Sequence, residues 1–76
     1  MKKSIYSQKN KLLVKWLVSK RHEANLSQRE LAEKLNLHHS IVGKIETGER
    51  RLDVLEFVNY CQMLNANPLD GIKLVL

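Results

Sequence analysis

Two four-residue stretches, SQRE at 27–30 and DVLE at 53–56, each place a side-chain oxygen three positions ahead of a glutamate. At the start of a helix this spacing is reciprocal. The oxygen of Ser27 or Asp53 accepts from the amide of the glutamate, and the glutamate reaches back to the amide of its cap. Leu26 and Leu31 flank the first box at the spacing of a hydrophobic staple, and Asn67 ahead of Pro68 is a third start, with proline at the first helical position. Three fixed starts between residues 27 and 67 leave room for short helices only in that part of the chain.

Apolar spacing fills in the rest. From about Ser7 to Ala24, Leu12, Leu13, Trp16 and Leu17 recur at spacings of one, three and four, with Lys9, Lys11, Lys15 and Lys20 mostly off that stripe. Asn25 breaks this helix. A second runs from Gln28 to about Leu35, with Leu31, Ala32 and Leu35 inward and the small Ala32 permitting a close neighbour. Asn36 tolerates the left-handed conformation that ends a helix, and Leu37 plugs inward across the turn. A third helix, from about His39 to Glu46, turns Val42 and Ile45 to the core and stops at Gly48; His38 is its expected N-cap, a weaker one than Ser or Asp. The fourth reaches about Asn65 with Leu55, Val58, Cys61 and Leu64 inward, and PLDGIKLVL closes the chain. The reading is all-α, a compact five-helix bundle forming a single domain over 1–76.

Composition narrows the class. A domain this small buries only about 60% of the surface its unfolded chain exposes. No run approaches the roughly 20 apolar residues of a bilayer span, and MKKSIYSQKNK lacks the apolar core of a signal peptide, so no membrane association and a cytoplasmic location are expected. Cys61, the one cysteine, has no partner for an internal disulfide and reads as a buried thiol. Thirteen Lys and Arg against eight acidic residues give a net charge of +5 and a pI near 9.6. That balance suits a polyanionic partner, although many small soluble proteins are basic without one.

The second and third helices, joined by a short turn, form a helix-turn-helix arrangement. The outward face of the third would carry His38, His39, Ser40, Gly43 and Lys44. A lysine can donate to guanine acceptors, and histidine and serine can donate or accept according to the base edge they meet. Gly43 sits mid-helix at a cost of about 1 kcal/mol against alanine. Either it lets the backbone approach DNA, or it avoids a clash inside the protein. As metal ligands the two histidines are badly placed, because adjacent helical residues point about 100° apart and neither Cys61 nor His22 stands at a ligand spacing. His22, at the end of the first helix, complements the helix dipole or is simply solvated. No nucleophile and base stand together and no glycine loop cradles phosphate, so neither an enzyme nor a cofactor is expected.

The run RHEANLSQRELAEKLNLHHSIVGKIETGERRLDVLEFVNYCQMLNANP resembles the Cro and phage-repressor helix-turn-helix domains, the XRE family. The resemblance implies a lambda-repressor-like fold and the following roles. Gln28 would touch a phosphate and support the recognition helix, with Ser27 or its amide on the backbone nearby. His38, His39, Ser40, Gly43 and Lys44 would read bases or border on them, and Arg50 and Arg51 would line the DNA backbone. Arg21 and Glu46 match an internal salt bridge and are left out of the binding set. Asn36 stands where the family usually has Gly, and His38 and His39 where Ser, Thr, Gln or Arg are usual, so no base sequence transfers. The histidines also predict DNA affinity that depends on pH, since imidazoles titrate near pH 6.5 and a charge gained there lies beside phosphates.

The chain ends are each open to two readings. Residues 1–8, with Lys2 and Lys3, form a flexible basic arm or a leader to the first helix. Residues 68–76, with Ile72, Leu74, Val75 and Leu76, finish the core or bury against a second copy. Two functions follow. One is a transcriptional regulator, most simply a repressor, binding double-stranded DNA as a homodimer. The other is an antitoxin or adaptor whose main partner is a protein such as a toxin, docked on the apolar C-terminus.

Overall fold

The computed structural model describes residues 5–76, with side chains from Ser7 onward. Five helices follow one another: α1 Ile5–Glu23, α2 Gln28–Lys34, α3 Ser40–Thr47, α4 Val54–Met63 and α5 Pro68–Lys73, with no strand among the described residues. The first helix begins earlier than its apolar stripe suggested. Residues 5–8 of the expected arm therefore belong to α1, and residues 1–4 lie outside the described residues.

Both capping boxes close. Ser27 Oγ accepts from the Glu30 amide at 3.0 Å while Glu30 Oε1 accepts from the Ser27 amide at 2.8 Å. Asp53 and Glu56 repeat the pair at 2.7 and 3.0 Å. The Ser27 amide, together with its hydroxyl, holds the Glu30 carboxyl below the usual carboxylate range. Glu56 is lowered first by the Arg50 guanidinium and then by the Asp53 amide.

The helix ends share one device. Asn25, Asn36 and Asn65 all adopt left-handed backbone, with φ of 56°, 57° and 53°. In each case the asparagine amide bonds back to the carbonyl three residues before it, and the next residue's amide to the carbonyl five before: Leu26 to Arg21 at 3.2 Å, Leu37 to Ala32 at 2.9 Å, Ala66 to Cys61 at 2.9 Å. These are Schellman closures, which satisfy carbonyls a helix end would otherwise leave open. The residue after each asparagine, Leu26, Leu37 or Ala66, then packs against the core. At the end of α3, Gly48 takes the left-handed position at φ 84°.

The core consists of Leu17, Leu31, Ala32, Leu35, Val42, Ile45, Phe57, Tyr60, Cys61 and Leu64. On α4 the inward row is Phe57, Tyr60, Cys61 and Leu64, not the expected Leu55 and Val58. Those two are 81% and 36% exposed. VLEFVNYCQML carries two apolar stripes side by side, and the one bearing both rings removes more surface from water when buried. Leu12 is likewise half exposed, so α1 faces inward through Leu13, Trp16 and Leu17. At the C-terminus Ile72, Leu74 and Leu76 remain exposed in the single chain, and Val75 is half-buried.

Helix α5 is held by contact with rings. Trp16 and Phe57 lie 6.4 Å apart between centroids. A Cβ added at buried Gly71 would stand 2.7 Å from Trp16 Cζ3 and 3.1 Å from Phe57 Cζ. Gly71→Ala should therefore destabilise the domain by about 1–3 kcal/mol through overpacking, despite alanine's better helix propensity. A urea midpoint equal to or above the parent's would show instead that α5 can slide off the rings.

Candidate nucleic-acid interface

The turn between α2 and α3 runs through Leu35–His39, and its far side sets how α3 begins. His39 occupies the cap position but has helical backbone and makes no side-chain cap bond. The capping falls to His38, whose Nδ1 accepts from the Ser40 amide at 3.2 Å and lies 2.8 Å from Ser40 Oγ. The expectation that His38 caps α3 holds for its side chain, one residue ahead of the assigned cap. The two imidazoles stack at 4.2 Å between centroids.

Val42 and Ile45 are fully buried, so α3 is seated on the core and its opposite side faces out. On that side His38, His39 and Lys44 are exposed, and Ser40 and Gly43 are half-buried. These are the five positions expected at the bases, and the fold gathers them on one short stretch of surface.

Beneath them lies a polar cluster. Arg21 donates to both carboxylate oxygens of Glu46, Nε to Oε2 at 2.7 Å and Nη2 to Oε1 at 3.1 Å, and its Nη1 donates to the Leu26 carbonyl at 2.7 Å. Its Nη2 also lies 3.2 Å from His22 Nε2. Gln28 Nε2 donates to Glu46 Oε1 at 2.8 Å. In the unbound protein the Gln28 amide thus links α2 to α3, instead of standing open for a phosphate. A Cβ on Gly43 would come within 3.3 Å of Gln28 Oε1. Of the two readings of Gly43, relief of an internal contact is the one with an observed partner.

The two arginines of the exit loop behave differently. Arg50 Nη2 donates to Glu56 Oε2 at 2.6 Å, and the residue is half-buried. Arg51 is exposed and has no ion-pair partner among the described residues. The Ser27 hydroxyl is engaged in its capping box. Of the nine residues expected to contact DNA, then, Ser27, Gln28 and Arg50 already serve the fold, whereas His39, Lys44 and Arg51 present their heads outward.

Sequence reasoning missed a neighbouring feature. A groove of about 510 Å³ opens between α1 and the end of α3, lined by Lys11, Val14, Lys15 and Val18 on one side and by Glu46, Thr47, Gly48 and Arg51 on the other. The only signal was the i, i+4 pair of lysines on one face of α1. Elsewhere, Cys61 is fully buried and burial pushes its thiol up to about 11, so it is not a reactive thiolate at neutral pH. Among the described residues no cluster of three or more His, Cys, Asp or Glu could hold a metal ion, and no helix is long and apolar enough to cross a membrane.

The helix-turn-helix family profile matches residues 17–72. Among solved structures, the chain is similar to an XRE-family like protein from Pseudomonas syringae pv. tomato, at 34% identity and a TM-score of 0.86, over 93% of this chain and 87% of that one. It shares its fold with the clp gene regulator ClgR of C. glutamicum, at 22% identity and a TM-score of 0.78, over 88% and 87% of the two chains. No curated protein sequence matches. The chain belongs to the XRE-type helix-turn-helix family, a class of DNA-binding transcription regulators and not of enzymes.

The Arg21–Glu46 pair is nine-tenths buried on both sides. Removing one partner should leave the other charge uncompensated, so Glu46→Ala is expected to cost about 3–5 kcal/mol in urea unfolding. A loss below about 1 kcal/mol, the range of exposed pairs, would demote the pair to surface decoration.

Proposed function

We propose that this chain is a sequence-specific regulator of transcription, located in the cytoplasm, that represses by occupying double-stranded DNA as a homodimer on a two-fold symmetric site. The observation that carries the reading is the outward row of His39 and Lys44 on a helix whose other side is fully buried at Val42 and Ile45. A helix so seated presents its polar groups in fixed positions, and base readout requires that. Lys44 donates to guanine O6 or N7, His39 and Ser40 meet neighbouring base edges, and Arg51 contacts a phosphate. Gln28 and Ser27 reach the backbone at the start of α2, where Gln28 exchanges its bond to Glu46 for one to phosphate. Arg50 acts through the loop that it pins to α4.

The exposed Leu69, Ile72, Leu74 and Leu76 favour a second copy at the C-terminal end. Dimerisation there would have to set the two recognition helices about 34 Å apart to enter successive turns of the major groove. The same surface, together with exposed Val54, Leu55 and Val58 on α4, supports a second reading, in which the chain is an antitoxin or adaptor that acts mainly through a protein, such as a toxin, covering it.

Selection of sites from a random duplex library at about 0.15 M salt, a physiological strength, separates the two. A two-fold symmetric consensus is the expected result; no enrichment, with association only to a protein partner, favours the second. On the selected site Lys44→Ala should lose about 1–3 kcal/mol and relax preference at one base pair. Arg51→Ala should weaken all duplexes alike and flatten the salt dependence.

A further inference from the structure

We propose that the groove between α1 and the exit of α3 receives the sugar–phosphate backbone of the bound duplex, with Lys15 and Arg51 holding phosphates from its two walls. The inference rests on the DNA-binding reading above and adds a contact to it. An α-helix with its side chains is about as wide as the major groove it enters. The chain leaving such a helix must therefore meet the wall of phosphates beside it. Here it leaves at Gly48, and the groove opens at that point, with Arg51 on the loop side and Lys15 on the α1 side.

The charges suit a phosphodiester. Lys11, Lys15 and Arg51 line the groove, and Lys15 and Arg51 are exposed with no ion-pair partner among the described residues. The single carboxylate there, Glu46, is taken up by Arg21 and Gln28 and is 9% exposed, so little of its charge opposes an incoming anion. Half-buried Val14 and Val18 supply an apolar stretch between the cations. That pattern of separated cations over an apolar floor matches phosphates alternating with deoxyribose better than it matches a lone inorganic anion. Lys11 and Lys15 also precede residue 17, where the family profile begins. The contact is thus an addition made by the N-terminal part of α1, outside the matched helix-turn-helix segment.

The test is Lys15→Ala on the selected duplex, with Lys9→Ala as an equal change of charge on α1 outside the groove lining. For Lys15→Ala the slope of log Kobs against log salt should become less steep by about 0.9 per half-site, the value of one phosphate contact on duplex DNA, and so by about 1.8 for the dimer on its two-fold site. Affinity should fall several-fold at 0.15 M salt, and the ratio of selected to scrambled sites should stay constant. Phosphate ethylation should locate the contact: one phosphate per half-site that blocks the parent complex should no longer matter to the variant. The proposal is overturned if Lys15→Ala keeps the parent slope and ethylation pattern, or if Lys9→Ala shifts the slope as much. A parent that enriches no duplex would overturn the DNA-binding reading and this inference with it; a parent that enriches a site while Lys15→Ala changes nothing would overturn this inference alone.

Discussion

One guanidinium, that of Arg21, decides how three helices sit. From α1 it donates twice to Glu46 at the end of α3 and once to the Leu26 carbonyl, at the turn that leads into α2. Glu46 in turn accepts from Gln28 on α2. Taking a guanidinium and a carboxylate out of water costs several kcal/mol each, so the pair is a poor source of net stability against an apolar substitute. Its contribution is direction. Apolar contacts among Leu17, Leu31, Val42 and Ile45 would tolerate small rotations of α3, whereas a bidentate pair with a third bond from the same group does not. A rotation of one residue position would carry Lys44 and His39 off the face proposed to meet DNA.

The groups that hold the recognition helix are partly those that could read DNA. His38 caps it, Gln28 ties it to α2, and Gly43 leaves the space through which Gln28 passes. A side chain used in this way reaches DNA only by giving up a bond inside the protein. The phosphate contact proposed for Gln28 is therefore an exchange, and its net gain is smaller than that of a contact made by a solvated group. Lys44 and Arg51 face no such exchange, which is why specificity and salt dependence are expected to fall mainly on them.

How much of this was legible in the sequence depended on the range of the interaction. The starts of α2, α4 and α5 and the stops at Asn36 and Gly48 were legible, because a cap is decided within three or four residues. Arg21 with Glu46 came only through resemblance, since no spacing rule joins residues so far apart along the chain. The Gln28–Glu46 and Arg50–Glu56 bonds were not legible at all, and so Gln28 and Arg50 read as open contacts. On α4 the local pattern itself was ambiguous. Leu55 and Val58 fitted a helical stripe as well as Phe57 and Cys61 did, and only packing against Trp16 and Gly71 selected the aromatic row.

That selection has a consequence at the surface. With Phe57, Tyr60, Cys61 and Leu64 inward, Val54, Leu55 and Val58 must face water, on the same chain that also exposes Leu69, Ile72, Leu74 and Leu76. A domain of this size cannot cover them with elements of its own, because surface outgrows core in small chains. The cations are sorted in the opposite sense. Of the four arginines, Arg21 and Arg50 are consumed in ion pairs, and Arg29 and Arg51 remain exposed. Net charge therefore overstates what the protein can offer a polyanion, and the exposed cations Lys44, Arg51 and Lys15 define it better. They belong to the recognition helix, to the loop that leaves it and to the α1 wall beside that loop. Exposed apolar residues thus lie on α4 and α5 and exposed cations around α3, and the proposed function assigns a protein to the first and nucleic acid to the second.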